Sequence, residues 1–254
     1  MKIVRYEKDG RICFGILNGE GVQPLAQSPY ESLEPADAPL LEVDEVRLLT
    51  PVTPTKILAV GFNYRDHAIE FGKPIPKEPN IFMKPLTCLA GPEEPVMLPR
   101  CYTQRVEHEA ELVVVIGKQA RHVTEEEAPD YILGYTCGND VSARDMQTKE
   151  NQWAVCKGFD TFGPVGPWIE TDADPSDLPI GMRVNGEIRQ HSNTKHLIFS
   201  VPYLVSYLSN VMTLMPGDII FTGTSSGVSP VHAGDVMEVV IEGIGILRNP
   251  VEAE

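Results

Sequence analysis

The sequence predicts a mostly β protein with few helices (an α+β chain), and three observations favour this class. The 254 residues include 22 prolines and 21 glycines, which place turns at short intervals along the chain. Runs rich in β-branched residues lie between the turns, as at 112–116 and within 217–251. Only one segment, 201–212, has clear helical spacing of its apolar residues.

Residues 1–53 are predicted to form a small N-terminal β module with its linker. A turn at 8–10 separates two short apolar-rich segments, which is typical of a hairpin. Residues 28–53 are rich in Pro, Glu and Ala and have little periodicity, so we interpret them as the linker. A second and larger domain is then expected over 54–254.

The larger domain is expected to begin with a buried strand over 56–61. The Pro-rich stretch 72–79 cannot form regular structure and is predicted to be a mobile loop or lid. An Asn-Gly pair at 185–186 favours a hairpin turn. Ser200 is predicted to cap a helix whose apolar stripe runs over 201–212.

Composition limits the class of partner. The net charge is −15, with 36 acidic against 21 basic residues, so we expect no nucleic acid or anionic membrane as a partner, because both require a basic face. No apolar run approaches the ~18 residues of a membrane span, and the N-terminus lacks a signal-peptide pattern. The five cysteines form no Cys-x-x-Cys pair, and we expect reduced thiols in the cytoplasm.

Three glutamates alternate along the chain immediately before the apolar run 112–116. In a strand, residues i, i+2 and i+4 point to the same face, so Glu107, Glu109 and Glu111 are predicted to share one face. Like charges this close repel each other unless a cation lies among them, and a hard ion such as Mg²⁺, Mn²⁺ or Ca²⁺ suits the position. Taken alone, the pattern also fits a solvated strand end whose carboxylates face water.

Other residues could carry chemistry, although each has an ordinary structural interpretation. Asp140 follows a predicted strand and could be a turn residue. His67 and Glu70, at i and i+3, can touch on a short helix, which is also common at surfaces. Lys157 has apolar and aromatic neighbours in the sequence, yet most lysines extend to solvent. The hydroxyl-rich glycine loop 221–228 could bind an anion but is not a Walker loop.

The order of the motifs is more specific than any one of them. In sequence order they are Gly61-x-Asn63-Tyr64-x-x-His67-x-x-Glu70, Lys84-Pro85, His108-Glu109-x-Glu111-Leu112, Asn139-Asp140-Val141-Ser142-Ala143-Arg144-Asp145-x-Gln147, Lys157-x-Phe159, Val184-Asn185-Gly186-Glu187-x-Arg189-Gln190 and Pro216-Gly217-Asp218-x-Ile220-x-Thr222-Gly223-Thr224. This order closely resembles the fumarylacetoacetate hydrolase family over about residues 55–250. The resemblance implies a β-roll of mixed sheets, a homodimer and one bound divalent cation.

The resemblance also implies the roles of particular residues. The metal carboxylates match Glu109, Glu111 and Asp140, and Mg²⁺ is the expected ion, with Mn²⁺ or Ca²⁺ as alternatives. Glu107 falls at a variable family position, so we expect it outside the ligand set. The remaining matches are a water-activating dyad, an active-site lysine and the contacts with a substrate carboxylate. They are His67 and Glu70, then Lys157, then Arg144, Gln147 and Thr224.

One segment departs from the family pattern. Relatives often carry Thr-Gly-Thr-Pro-x-Gly-Val-Gly, whereas this chain has Ser225 and Ser229 in place of the Pro and the last Gly. We expect the change to loosen the loop and to alter how the far end of the substrate is bound.

The resemblance implies a metal-dependent hydrolase that cleaves a C–C bond in acylpyruvate-type 2,4-diketo acids through a metal-bound enolate. The substrate would be a small anionic 2-oxo acid. The dyad favours hydrolysis because it can activate water. The alternatives are an isomerase or tautomerase of 2-hydroxy-diene dicarboxylates from aromatic catabolism, an oxaloacetate decarboxylase, and a metal-binding relative without turnover. We expect no serine-nucleophile elbow.

Overall fold

The structure is a computed structural model that describes residues 1–147 and 153–254. The predicted class is confirmed, because strands far outnumber helices in these residues. In chain order the strands are β1 (Lys2–Lys8), β2 (Arg11–Asn18), β3 (Gly21–Pro24), β4 (Arg47–Leu49), β5 (Ile57–Gly61), β6 (Asn80–Lys84), β7 (Leu89–Ala90), β8 (Val96–Leu98), β9 (Val106–Glu107), β10 (Ala110–Ile116), β11 (Ile132–Asn139), β12 (Ser142–Ala143), β13 (Gly163–Glu170), β14 (Pro179–Val184), β15 (Glu187–Asn193), β16 (Ile219–Thr224), β17 (Val236–Ile241) and β18 (Gly245–Ala253). The α-helices are α1 (Arg65–Glu70), α2 (Ala154–Lys157) and α3 (Val201–Val211). Short 3₁₀ turns are Val43–Glu45, Leu86–Cys88, Ala128–Tyr131, Arg144–Met146 and Thr194–His196.

A large mixed sheet forms the framework of the molecule. Its strand order is β3-β2-β1-β13-β11-β10-β16-β5-β6, with β4 paired to β1 and β7 paired to β13. Strand β10 is antiparallel to both its neighbours and is buried along its whole length, as its near-continuous apolar run predicts. Strands β16 and β5 are parallel to each other.

The N-terminal strands extend this sheet. Lys2 of β1 pairs with Glu170 of β13, and the amino group of Met1 lies 2.6 Å from the Glu170 carboxylate. The stretch 28–53, interpreted from sequence as a linker, contains β4, which pairs with β1. Its backbone therefore continues the sheet rather than only connecting two domains.

A second sheet, of order β15-β14-β17-β18-β8, packs against the first across the main hydrophobic core. The predicted hairpin joins β14 to β15. Asn185 and Gly186 both have positive φ, at 53° and 81°, as a tight two-residue hairpin turn requires.

The predicted helix cap is confirmed at Ser200, whose side chain accepts a hydrogen bond from the backbone N of Tyr203 at 3.4 Å. Helix α3 ends at Val211, one residue before the predicted end. Within the described residues, none of the helices combines the length and apolar character that crossing a membrane would require.

Strand directions bring four chain segments to one edge of the large sheet. Because β10 is antiparallel to β11 and β16, its first residues lie beside their last residues. Thus Ala110 pairs with Asn139, and Glu111 pairs with Thr224. Strand β5 runs parallel to β16, so Gly61 at its end lies at the same edge and leads into α1.

Candidate active site

Three buried carboxylates meet at this edge. Glu109, Glu111 and Asp140 each offer a carboxylate oxygen, and these atoms lie within 4.8 Å of one another. Glu109 precedes β10, Glu111 lies in it, and Asp140 directly follows β11. The backbone joins the two segments, because the N–H of Asp140 donates to the carbonyl oxygen of Glu109 at 2.9 Å. A cluster of three carboxylates is a donor set for a hard divalent cation.

The prediction that three glutamates share one strand face is wrong for Glu107. The chain breaks out of regular pairing at His108 and Glu109, between β9 and β10. Glu107 instead pairs through its backbone with Ser142 of β12. Its carboxylate therefore lies outside the cluster of three, as the variable family position implied.

Cationic side chains pair with two of these carboxylates, Glu109 and Asp140. The Nζ atom of Lys157 lies 2.7 Å from Glu109 Oε2 and 2.6 Å from Asp140 Oδ2. The Nζ atom of Lys84 lies 2.6 Å from Asp140 Oδ1 and 2.5 Å from the carbonyl oxygen of Lys157. Arg144 forms a further ion pair with Glu109. Glu109 and Asp140 are therefore each held by two cations.

Glu111 differs from the other two carboxylates. It accepts a hydrogen bond from the N–H of Gly223 at 2.7 Å, and no ion pair to it occurs among the described residues. Burial, together with the charges of Asp140 and Glu109, raises its pKa well above the ordinary value. Burial acts in the same direction on Glu109, but Lys157 and Arg144 outweigh it and lower the pKa of that carboxyl.

Glu111 thus has no cationic partner among the described residues, and this is the observation that shows that the cluster suits a divalent cation. A buried carboxylate without a cationic partner is costly, and a metal ion among the three would supply the missing positive charge. Lys157 is itself kept charged, since Asp140 and Glu109 raise its pKa against the opposing effect of burial.

The predicted dyad residues are in contact. In α1, Nδ1 of His67 lies 3.1 Å from Oε2 of Glu70, and the other oxygen of Glu70 accepts from the N–H of Gly227 at 3.0 Å. Burial opposes ionisation of Glu70, yet the hydrogen bonds from His67 and Gly227 lower its pKa. The buried imidazole packs against the rings of Phe62 and Phe71, with centroids at 5.5 Å and 4.8 Å.

The geometry of the dyad selects one tautomer of His67. A carboxylate only accepts hydrogen bonds, so Nδ1 carries the proton that points to Glu70. In the neutral ring the lone pair is then on Nε2, which is the atom available to take a proton.

Arg144 and Gln147 line the same pocket as the carboxylates. The Nη1 atom of Arg144 donates to Oε1 of Gln147 at 2.5 Å, and its Nε atom donates to Oε2 of Glu107 at 2.6 Å. With the Glu109 contact, all three guanidinium nitrogens face protein acceptors. Glu109 and Glu107 raise the pKa of Arg144 although burial alone would lower it.

Thr224 also lines the pocket, but its hydroxyl is already hydrogen-bonded to two groups of the protein. It donates to the carbonyl oxygen of Ala110 at 2.9 Å and accepts from Nε2 of Gln190 at 2.8 Å. Its proton is thus used within the protein, and only one lone pair remains for a ligand.

Gln190 connects this strand end to a buried histidine. The Oε1 atom of Gln190 accepts from the N–H of Ala110 at 3.0 Å and lies 3.1 Å from Nδ1 of His108. Because Oε1 only accepts, Nδ1 carries a proton, and Nε2 of the neutral ring accepts from the Ser229 hydroxyl at 2.9 Å. Burial lowers the pKa of His108 to about 4, which keeps the ring neutral at pH 7.

The loop that departs from the family pattern is held at several points by hydrogen bonds. Ser229 bonds His108, and the Ser226 hydroxyl donates to Oδ2 of Asp66 at 2.9 Å. The expectation about a serine elbow needs correction, because residues 223–227 have Gly-x-Ser-x-Gly spacing. No helix follows Ser225. Within residues 1–147 and 153–254 its hydroxyl has one hydrogen bond, to the Ser226 carbonyl oxygen at 3.4 Å, and none to a histidine.

Several residues that hold the site have no role predicted from the sequence. They are Lys84, Gln190 and three aromatic residues of the pocket wall, Phe62, Phe82 and Trp153. Lys84 and Gln190 lie in the motifs that resemble the family, so their positions in the sequence could have indicated a role in the site. No motif position indicated a role for the three aromatic residues.

The comparison with protein families decides the classification. Residues 56–252 match the model described as fumarylacetoacetate (FAA) hydrolase C-terminal. The chain belongs to the fumarylacetoacetate hydrolase family. The resemblance predicted from the order of the motifs is thereby confirmed. Residues 1–51 match a separate model, described as Rv2993c-like, N-terminal.

Proteins similar to this member of the family carry names that specify three different activities. A solved structure of a 2-hydroxyhepta-2,4-diene-1,7-dioate isomerase from Mycobacterium marinum has a TM-score of 0.92 and 41% identity, covering 100% of this chain and 99% of that one. A maleylpyruvate hydrolase from Sphingobium sp. SYK-6, solved with manganese(II) and pyruvate, has a TM-score of 0.81 and 32% identity, covering 100% and 99%. The mitochondrial oxaloacetate tautomerase fahd2 of Xenopus laevis is 42% identical over 92% of this chain and 76% of its own. Such family members are enzymes, but membership alone does not select one reaction.

Proposed function

We propose that this protein is a divalent-metal-dependent hydrolase that cleaves a C–C bond in acylpyruvate-type 2,4-diketo acids. The observation that carries the proposal is the His67–Glu70 contact at 3.1 Å in the pocket that holds the carboxylate cluster. A base with a free Nε2 lone pair is what water attack requires. Isomerisation or decarboxylation does not need water as a nucleophile.

Glu109, Glu111 and Asp140 are the residues that would hold the cation. Their oxygen ligands suit Mg²⁺ or Mn²⁺, and the manganese reported for the maleylpyruvate hydrolase supports testing both. When bound, such an ion supplies Lewis-acid chemistry, in that it polarises a ketone oxygen and stabilises negative charge.

The chain's own residues would perform the proton transfer and bind the substrate. His67 takes a proton from water at Nε2, while Glu70 holds the ring and stabilises the resulting imidazolium. Arg144 exchanges its contact with Glu109 for the substrate carboxylate. Lys157 balances negative charge that develops near the carboxylate cluster.

The bond changes balance for a 2,4-diketo acid. The water oxygen forms a bond to the distal carbonyl carbon, and the bond between C3 and C4 breaks. Its electron pair remains on the pyruvate fragment, which is protonated at C3. The products are pyruvate and a carboxylic acid, with no oxidant or reductant needed.

Isomerisation of 2-hydroxy-diene dicarboxylates is the second candidate, because the M. marinum structure that covers the whole chain carries that name. The two candidates differ in their dependence on His67. Hydrolysis is expected to require it, whereas proton relocation on a substrate could proceed through another group.

A turnover panel tests the proposal. Purified protein with Mg²⁺ or Mn²⁺ is offered acetylpyruvate, oxaloacetate and a 2-hydroxymuconate-type dicarboxylate. Glu109→Ala and His67→Ala are assayed in parallel, and His191→Ala, an exposed histidine, is the control. Acetylpyruvate cleavage that is lost with EDTA and in both site variants supports a hydrolase. Isomerisation that survives His67→Ala would contradict it.

A further inference from the structure

A cavity of about 580 Å³ lies apart from the carboxylate pocket and shares no lining residue with it. Three chain segments surround it, namely the start of β11, the loop that follows β13, and the segment 194–202 that leads into α3. The last two are joined, because the N–H of Thr194 donates to the carbonyl oxygen of Leu178 at 2.9 Å and the Thr194 hydroxyl accepts from the N–H of Leu178 at 2.8 Å. The volume is in the range of small-molecule sites.

One buried polar group of this cavity lacks a partner. Tyr135 of β11 lines the cavity and is 7% exposed, and none of the hydrogen bonds formed within residues 1–147 and 153–254 involves its hydroxyl. Burial, together with the charge of Asp174, raises the pKa of Tyr135 to about 12, so the hydroxyl remains protonated at neutral pH. A buried tyrosine hydroxyl normally finds an acceptor, and an oxygen of a ligand in the cavity would supply one.

The wall formed by the segment 194–202 is positive. Lys195 lies in the 3₁₀ turn of this wall, and α3 begins in it at Val201. The first N–H groups of a helix have no intrahelical acceptor and carry partial positive charge. Ser200 accepts from the N–H of Tyr203, whereas no hydrogen bond from the N–H of Val201 occurs in the described part of the chain. This wall therefore favours a ligand carboxylate.

The wall formed by the loop after β13 is negative. Asp174 lines the cavity there, and among the described residues no cation pairs with it. Its carboxylate accepts from the N–H of Ser176 at 2.9 Å, which leaves further lone pairs for a ligand. Asp177 of the same loop pairs with Lys195 at 3.3 Å, and an exposed pair of this kind is weak enough for a ligand carboxylate to replace. A positive wall and a negative wall together suit a ligand that carries both charges.

We propose that this cavity binds an α-amino acid with an aliphatic side chain, at a site separate from the carboxylate cluster. The carboxylate of the amino acid accepts from the Tyr135 hydroxyl and pairs with Lys195, while its ammonium group pairs with Asp174. Its side chain packs on the apolar residues of the cavity, among them Ile132 and Leu197. A ligand with one charge would satisfy only one wall. Binding here needs neither a metal ion nor turnover, so it is independent of the proposed function.

Four matched probes test the ligand class on the protein in EDTA, where no metal ion can hold a probe at the carboxylate cluster. L-Leucine carries both charges, 4-methylpentanoate lacks the amino group, 3-methylbutylamine lacks the carboxylate, and glycine lacks the side chain. Titration calorimetry measures their dissociation constants. L-Leucine is expected to bind at least tenfold more tightly than each of the other three. Equal binding of L-leucine and either singly charged analogue, or no binding of L-leucine at millimolar concentration, overturns the proposal.

Variants of the lining residues locate the site. Tyr135→Phe removes only an unpartnered hydroxyl, so its melting temperature should equal or exceed the native value, while L-leucine affinity falls about tenfold or more, as expected for a hydrogen bond to a charged group. Lys195→Gln should lose the preference for L-leucine over 3-methylbutylamine, and Asp174→Asn the preference over 4-methylpentanoate. Lys118→Gln, at an exposed lysine outside the cavity, is the control and should retain both preferences. L-Leucine binding that is unchanged in Tyr135→Phe would exclude this cavity as the site.

Discussion

The guanidinium of Arg144, which is partly buried, forms an ion pair with the fully buried carboxylate of Glu107, with Nε and Oε2 2.6 Å apart. The other oxygen of Glu107 accepts from Nε of Arg105, also at 2.6 Å. One carboxylate therefore lies between two guanidinium groups. It fixes the Nε side of Arg144 and leaves the far side facing Glu109 and the pocket.

Glu107→Gln should destabilise the protein and weaken the binding of substrate carboxylate. The change removes one of the two carboxylates that pair with Arg144, and Glu109 remains as the other. Because the lost partner is buried, we expect a cost of about 1–3 kcal/mol in the free energy of unfolding. Urea unfolding measures the loss, and the KM of the active substrate should rise while kcat changes little. Glu45→Gln, which removes an exposed pair with Lys8, should leave both nearly unchanged. Equal effects of the two variants would contradict the assignment.

Glu111→Gln should abolish metal binding without destabilising the metal-free protein. The side chain remains the same size, and burial together with the charges of Asp140 and Glu109 already favours the neutral form of this carboxyl, which the amide replaces. Titration calorimetry with Mn²⁺ should show at least a hundredfold loss of affinity. Melting temperatures in EDTA should be equal to the native value or higher. A clear fall in EDTA would mean that the carboxylate has a structural role that this geometry does not explain, and Glu125→Gln, an exposed acid, is the control.

Glu70→Gln should lower kcat with little change in metal affinity. The amide would no longer stabilise a charged His67 ring, although it could still bond the N–H of Gly227. General base catalysis contributes a factor of about 10²–10⁴ in rate, so kcat should decrease by no more than that factor. Steady-state kinetics with saturating Mg²⁺ measure it, with the exposed Glu78→Gln as control. An unchanged kcat would remove the dyad from the mechanism.

Asp218→Ala should destabilise the fold at a distance from the chemistry. This fully buried carboxylate accepts from the backbone N–H groups of Thr55, Lys56 and Met215, and it pairs with the ammonium of Lys56. Leaving those donors and the cation unsatisfied should cost about 3–5 kcal/mol in the free energy of unfolding. Asp177→Ala, in an exposed pair, should change the unfolding midpoint little. A similar small shift for both would contradict the role of Asp218.

Features that depend on local spacing were predictable. The Ser200 cap and helix α3 follow from side chains three and four residues apart, and the 185–186 turn follows from the preference of Asn-Gly for positive φ. The His67–Glu70 contact belongs to the same group, because i and i+3 are neighbours on a helix. The order of the motifs was sufficient to identify the family.

Features that depend on distant parts of the chain required the tertiary structure. Lys84 reaches Asp140 across 56 positions, and Gln190 reaches Thr224 across 34. No local period encodes such contacts, since strand order and register decide which side chains meet. The same reason explains the error at Glu107, because this residue pairs with Ser142 in β9, whereas Glu111 lies in the separate strand β10. Sequence spacing thus specified the helix, the turn and the dyad, whereas the ion pairs around the carboxylates arise only where distant strand ends converge.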